Sequence, residues 1–128
     1  MATDPRRRHG AAGERIAEEH LQHRGYRILA RNFRTRLGEL DLVAANERTL
    51  VFCEVKTRLS GSLRGPATPL DAIGTRKRDR LRRMARQWLA ETATADRPRP
   101  EDLRFDAIGV ILTPTGRLVA LEHLEGAF

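Results

Sequence analysis

Cysteine is nearly missing from this chain: the one present, Cys53, excludes an internal disulfide and cannot build a zinc site by itself. Aromatic residues are also scarce, at 5% with one tryptophan and one tyrosine, which argues against recognition of single strands by base stacking. With 6 prolines and 10 glycines, the chain is no fibrous or low-complexity sequence. No apolar run approaches the ~18 residues of a membrane span. No apolar segment follows the basic start Met1–His9, so neither export nor membrane association is expected and a cytoplasmic protein is the plain reading. Lysine is the rarest charged residue, with only Lys56 and Lys77 against 22 arginines.

What remains is a globular composition, 40% hydrophobic and 32% charged, in 128 residues. That length fits one domain with one real core. The net charge of +7 points to a polyanionic partner such as nucleic acid, although it says nothing about chemistry. In a chain that uses arginine wherever a cation is wanted, a surviving lysine marks a place for a compact, titratable ammonium.

Residues 1–10 read as a flexible basic arm, with Arg6, Arg7 and Arg8 able to touch phosphates, and residues 11–128 as a single domain. Ala11 to Arg24 is helical in pattern, with Gly13, Ile16, Ala17, His20 and Leu21 on one stripe and Gly25 as a natural terminator. Glu14 shares a face with Ala17 and Leu21, so its carboxylate falls at the edge of the apolar stripe. Strands are expected at Tyr26 to Phe33, Glu39 to Ala45 and Leu50 to Lys56, the last two joined by the polar turn Asn46-Glu47-Arg48-Thr49. Residues 57–69 have the composition of a long mobile loop. A second helix runs from about Leu70 or Thr75 to Ala90, and a polar connector spans Thr92–Asp102. Strands at Arg104 to Leu112 and Leu118 to His123 follow. The order α-β-β-β-α-β-β predicts an α/β domain, a mixed sheet flanked by helices.

Chemistry concentrates on the hairpin. Alternation turns Glu54 and Lys56 one way and Val51, Cys53 and Val55 the other; Asp41 shares a face with Glu39, and Leu40 with Leu42. A turn of two or four residues centred on Glu47-Arg48 pairs positions whose numbers sum to 95, placing Asp41 opposite Glu54 and Glu39 opposite Lys56. An odd turn would send the carboxylates to opposite faces. Two facing carboxylates at ~5 Å repel by about 3 kcal/mol at an effective dielectric of ~20. A divalent cation relieves that, and with Lys56 beside it the pair has the parts for metal-assisted phosphodiester hydrolysis. The plainer alternative is a surface ladder of ion pairs. Against it stands Leu50-Val51-Phe52-Cys53, apolar on both faces and so internal, and the presence there of one of the two lysines.

The other lysine sits on a packing face. Leu70, Ile73, Lys77, Leu81, Met84 and Trp88 recur at helical spacing, with Arg76, Arg78, Arg80, Arg82, Arg83 and Arg86 mainly on the flanks and outer side. Lys77 either snorkels to solvent or reaches the carboxylates or a phosphate. Residues 70–91 carry +4, a surface suited to a phosphate backbone.

Asp41, followed thirteen residues later by Glu54-Val55-Lys56, resembles the PD-(D/E)xK nuclease motif, with Leu40 in place of its proline. Glu14 looks like the extra acidic residue of the Holliday-junction-resolvase branch. More closely, the chain is similar to the bacterial YraN family. The similarity is carried by Gly13-Glu14, Gly25-Tyr26, Asn32-Phe33-Arg34, Gly38-Glu39-Leu40-Asp41-Leu42, Val51-Phe52-Cys53-Glu54-Val55-Lys56-Thr57-Arg58, Lys77 and Arg104-Phe105-Asp106. The resemblance implies a restriction-endonuclease-like core. It implies Mg²⁺ (or Mn²⁺) on Asp41, Glu54 and the Val55 carbonyl, and Lys56 orienting water or stabilising the phosphate. Glu14 would serve a second metal. A homodimer is the expectation carried over from resolvase-like relatives. Lys77, Arg58, Arg76 and Arg80 are the candidate nucleic-acid contacts.

Three functions therefore compete: a metal-dependent DNA endonuclease acting on branched or damaged structures, a nucleic-acid-binding protein that keeps the fold without turnover, and a structural or partner-binding protein of the cytoplasm.

Overall fold

A computed structural model of the chain describes residues 5–61, 75–94 and 100–128. The elements are α1 (Pro5–His23), β1 (Arg27–Thr35), β2 (Gly38–Ala45), β3 (Thr49–Leu59), α2 (Thr75–Glu91), β4 (Asp102–Leu112) and β5 (Leu118–Leu124). The order α-β-β-β-α-β-β and the mixed sheet flanked by helices are as expected. The strands lie in sequence order β1-β2-β3-β4-β5, antiparallel except for β3 and β4, which run parallel across the α2 connection.

Two boundaries depart most from expectation. The first helix begins at Pro5, so residues 5–10 are helical and not an arm. Proline is favoured at a first helical position, and the arginines after it are good helix formers. The segment expected to be loop from residue 57 begins instead as strand, since Thr57–Leu59 extend β3 in register with Thr57↔Val110 and Leu59↔Leu112. The second helix starts at Thr75, one of its two expected starts; residues 62–74, Leu70 and Ile73 among them, lie outside the described residues.

α1 ends where Gly25 adopts φ +90°, a conformation glycine reaches without a Cβ clash. Tyr26 N–H then returns to the Leu21 carbonyl at 3.0 Å, closing the helix and launching β1. The hairpin turn is capped by Asn46, whose Oδ1 accepts from Arg48 N at 2.9 Å and Thr49 N at 2.7 Å. Ala45↔Leu50 and Leu42↔Cys53 give the register that the sum of 95 predicts.

One core lies on each face of the sheet. Under α1, Ala17 and Leu21 pack on Leu42, Ala44, Val51, Cys53, Val55 and Ile108. Under α2, Leu81, Met84, Ala85 and Trp88 pack on Leu40, Val43, Leu50 and Phe52. Leu40 and Leu42 thus belong to different cores, contrary to the expectation from strict alternation. The strand turns over at Asp41, beside Asn32 of β1, which holds φ 50°, the one positive value outside glycine among the described residues.

Beneath α1, Asp106 is wholly buried and fully engaged. Arg104 Nε and Nη2 reach its two oxygens at 2.8 and 2.9 Å, His123 Nε2 lies at 2.8 Å and Gly126 N at 3.0 Å. Burial alone would raise its pKa, but these bonds hold the carboxyl below its ordinary range. Asp106→Ala removes the acceptor shared by Arg104 and His123, which keep Tyr26 and His20 as partners, and is expected to cost about 3 kcal/mol at pH 7 in denaturant unfolding. A depressed carboxylate stabilises above its unfolded pKa and stops doing so as pH falls through the folded one. The gap between wild type and variant therefore narrows below about pH 4.

Candidate functional site

The hairpin ladder stops at Leu42↔Cys53. One residue further on, the Asp41 carboxylate replaces the backbone partner: Val55 N–H donates to Asp41 Oδ2 at 2.7 Å. A residue in an antiparallel strand presents its N–H and C=O to the same neighbour. The Val55 carbonyl edge therefore faces the side on which Asp41 stands. From Glu54 onward β3 keeps β4 on one flank, and no described strand pairs with it on the other.

Three acidic side chains gather at this opening. One carboxylate oxygen each from Glu14, Glu39 and Asp41 lies within 4.8 Å of the other two. α1 supplies Glu14, the start of β2 supplies Glu39, and the turning point of β2 supplies Asp41. Asn32 ties the first two together, its Nδ2 donating to Glu14 Oε2 at 3.0 Å and to Glu39 Oε1 at 2.6 Å. In the β1–β2 register Asn32 falls opposite Asp41, between Arg31↔Leu42 and Phe33↔Leu40.

Glu54, only 6% exposed, completes the cluster from β3. Lys77 Nζ of α2 lies 2.6 Å from Glu54 Oε1, and Lys56 Nζ lies 3.6 Å from it. Burial, the negative charges of Glu54 and Glu14 and a hydrogen bond with Glu54 push the Asp41 carboxyl up to about 8, against the opposing pull of the Val55 N–H. Lys56 is held below the ordinary lysine value by burial and by the Lys77 ammonium beside it. Burial works against charge on Lys77 more than any single contact favours it, but the hydrogen bonds with Glu54 and Lys56 and the negative charges of Glu54 and Asp41 together hold its pKa above the ordinary value. Crowded carboxylates are thus eased here by two ammoniums and by a proton on Asp41 near neutral pH.

The cluster opens to solvent on both sides. A cavity of about 370 Å³ is bordered by His9, Glu14, Lys56 and Arg58, and one of about 180 Å³ by Glu39, Glu54, Lys77 and Arg80. A larger cavity, about 610 Å³ beside Arg24 and Arg48, holds none of the clustered residues.

Of the residues expected from sequence, Glu14, Asp41, Glu54, Val55, Lys56 and Lys77 are brought together. Arg58 is half-buried at the edge of the wider cavity and Arg80 is exposed at the edge of the narrower one. The side chain of Arg76 lies outside the described residues. The expected cross-strand pair Glu39–Lys56 does not form, because the ladder ends before reaching it. Glu39 turns to Asn32 and to Arg34 Nε at 3.5 Å, and Lys56 to Glu54. Glu39 and Asn32 are the members that sequence reasoning missed as site residues. Pairing β1 against β2 in the register above would have drawn attention to Asn32.

Fold and site together define a mixed α/β domain with an acidic cluster and two lysines at the open end of its central strand. The chain belongs to the family described as Uncharacterised protein family UPF0102, the YraN family, whose model matches residues 13–110. It is 49% identical over 119 residues to a UPF0102 protein of Frankia alni, covering 93% of this chain and 92% of that one. It is 43% identical over 126 residues to a UPF0102 protein of Moorella thermoacetica, covering 98% and 99%, and 46% identical over 121 residues to one of Mycobacterium tuberculosis, covering 91% and 89%.

The raised Asp41 pKa has a thermodynamic signature. An acid whose folded pKa lies above its unfolded value makes the native state lose stability as pH climbs from about 4 to about 8, after which the loss levels off. In chelator, Asp41→Asn lacks this penalty. The melting temperature of the variant should accordingly rise relative to wild type across that interval; parallel profiles would contradict the assignment.

Proposed function

We propose that this protein is a divalent-metal-dependent endonuclease that hydrolyses phosphodiester bonds of DNA, with branched or damaged structures as its preferred substrates. The observation that carries the reading is the convergence of Glu14, Glu39, Asp41 and Glu54 with Lys56 and Lys77 at one open strand end. The acidic groups are all oxygen donors, with no cysteine among them, as suits Mg²⁺ or Mn²⁺ better than zinc. Asp41, Glu54 and the Val55 carbonyl would hold the ion, with Glu14 and Glu39 at its other side. When bound, such an ion polarises a phosphoryl oxygen and lowers the pKa of a water.

The chain's own groups supply the remainder. Lys56, with a depressed pKa and 35% side-chain exposure, can donate to a phosphate oxygen or pass a proton to and from water. Lys77, 2.6 Å from Glu54 in the metal-free cluster, would be available to a phosphate oxygen were a cation to share that carboxylate. Arg58 on β3 and Arg80 on α2 flank the two openings, where guanidinium groups would grip the backbone on either side of the reacting phosphate.

The second reading, binding without turnover, draws on a specific observation: Glu54 already has two ammonium partners, so the cluster is neutralised to a large degree without metal. Cleavage of linear, flapped and four-way DNA separates the two. Endonuclease action predicts products that depend on Mg²⁺ or Mn²⁺ and fall about 100-fold or more in Lys56→Ala and Asp41→Ala, on the scale of losing one transition-state stabiliser. Salt-sensitive binding with no metal-dependent product, or products indifferent to both substitutions, defeats it.

A further inference from the structure

Two glycines sit inside α1, where each costs about 1 kcal/mol relative to alanine. Their surroundings differ. A Cβ built on Gly10 would meet nothing within 4 Å. A Cβ on Gly13 would collide with the Thr57 hydroxyl and lie 3.0 Å from Thr57 Cβ and 3.1 Å from its Cγ2. At Gly13 the helix backbone therefore rests against a strand side chain, and the clearance exists because residue 13 has no side chain.

The neighbours on either side of the contact give it meaning. Glu14, the next residue on the helix, reaches Asn32 and the oxygens of Glu39 and Asp41. Val55, two residues before Thr57 on the strand, holds Asp41 by its N–H. Both halves of the acidic cluster are thus referenced to one short piece of β3, Asp41 by a hydrogen bond and Glu14 by the height at which α1 rests on Thr57. We infer that the Gly13–Thr57 contact is a positioning device: Thr57 is the stop, the bare Cα of Gly13 is the clearance, and together they set the reach of Glu14 into the cluster.

A methyl at position 13 lifts this part of α1 and draws Glu14 away from Asn32. A displacement on the order of 1 Å is enough to cost about 100-fold where groups must converge on one reacting centre. The geometric claim stands by itself; its consequence for metal rests on the proposed function.

The test uses the full chain and two readouts. The Asn32 side-chain amide, observed by ¹⁵N-resolved NMR without metal, reports whether Glu14 is still in reach, and Mn²⁺ titration calorimetry reports the cluster as a whole. Gly13→Ala is expected to shift the Asn32 amide signals and to weaken Mn²⁺ binding about tenfold or more. Gly10→Ala should leave the Asn32 signals in place and slightly raise the melting temperature. Gly13→Ala combined with Thr57→Ala removes the stop and should return the Asn32 signals towards wild type and recover most of the affinity. If Gly13→Ala does not fold, recovery of fold and Asn32 signals in the double variant supports the inference. A folded Gly13→Ala with wild-type Asn32 signals overturns it, as does a double variant no better than the single one. Absence of Mn²⁺ binding in the wild type removes the metal-dependent function while the Asn32 signals still decide the positioning claim.

Discussion

Everything at the open end of β3 follows from one local exchange: the hydrogen bond that a β2 carbonyl would accept from Val55 N–H is accepted by the Asp41 carboxylate instead. A side chain has replaced a strand. The exchange ends the β2–β3 ladder, exposes the flank of β3 beyond Cys53, and fixes a carboxylate close to Glu54 in a half-buried setting. The crowding of Asp41 with Glu54 and Glu14 favours a proton on Asp41 and cationic partners for Glu54, and this shapes the rest. Lys77 leaves the apolar stripe of α2 to reach Glu54, Lys56 joins it, and Asn32 adopts a left-handed backbone conformation while binding Glu14 and Glu39. Unusual backbone geometry of this kind is tolerated where the surroundings overdetermine it, and such places are commonly functional sites.

The scaffold around this exchange is stiff. Leu50 through Val55 are buried, with cores on both faces and β4 in register along the full length of β3. Beneath the C-terminal end of α1 the Arg104–Asp106–His123 network ties the C-terminal segment to the sheet. The acidic side chains are therefore presented from rigid elements, two strands and one helix, instead of from loops. Such rigidity is what a site needs if its groups are to meet a phosphate without rearrangement.

Much of this was legible in the residues. Alternation in Leu50-Val51-Phe52-Cys53-Glu54-Val55-Lys56 and the short polar turn before it gave the hairpin register, because a four-residue turn leaves one pairing for the apolar positions. The isolation of two lysines among many arginines drew attention to Lys56 and Lys77, and both lie beside Glu54. Other features were hidden for physical reasons. Strict alternation assigned Leu40 and Leu42 to one face, but β2 loses β3 at Asp41 while staying paired to β1, and a strand held on one flank alone twists more freely, so the two leucines part into separate cores. The same twist carries Glu39 away from Lys56 towards Asn32. Asn32 itself could not be found by pattern, since its role depends on which strand lies beside β2. The helical start at Pro5 was masked by a run of arginines, whose charge reads as a solvated arm although their helix propensity is good.

The central claim is that these carboxylates converge to hold a divalent cation, with the lysines as stand-ins until it arrives. Anomalous diffraction from crystals soaked in Mn²⁺ measures this directly. The account predicts one peak or two adjoining peaks bounded by Asp41, Glu54 and the carbonyl of Val55, with Glu14 or Glu39 alongside and the Lys77 ammonium withdrawn from Glu54. A cluster with no anomalous density, its Glu54 still clasped by Lys77 at high Mn²⁺, would contradict it.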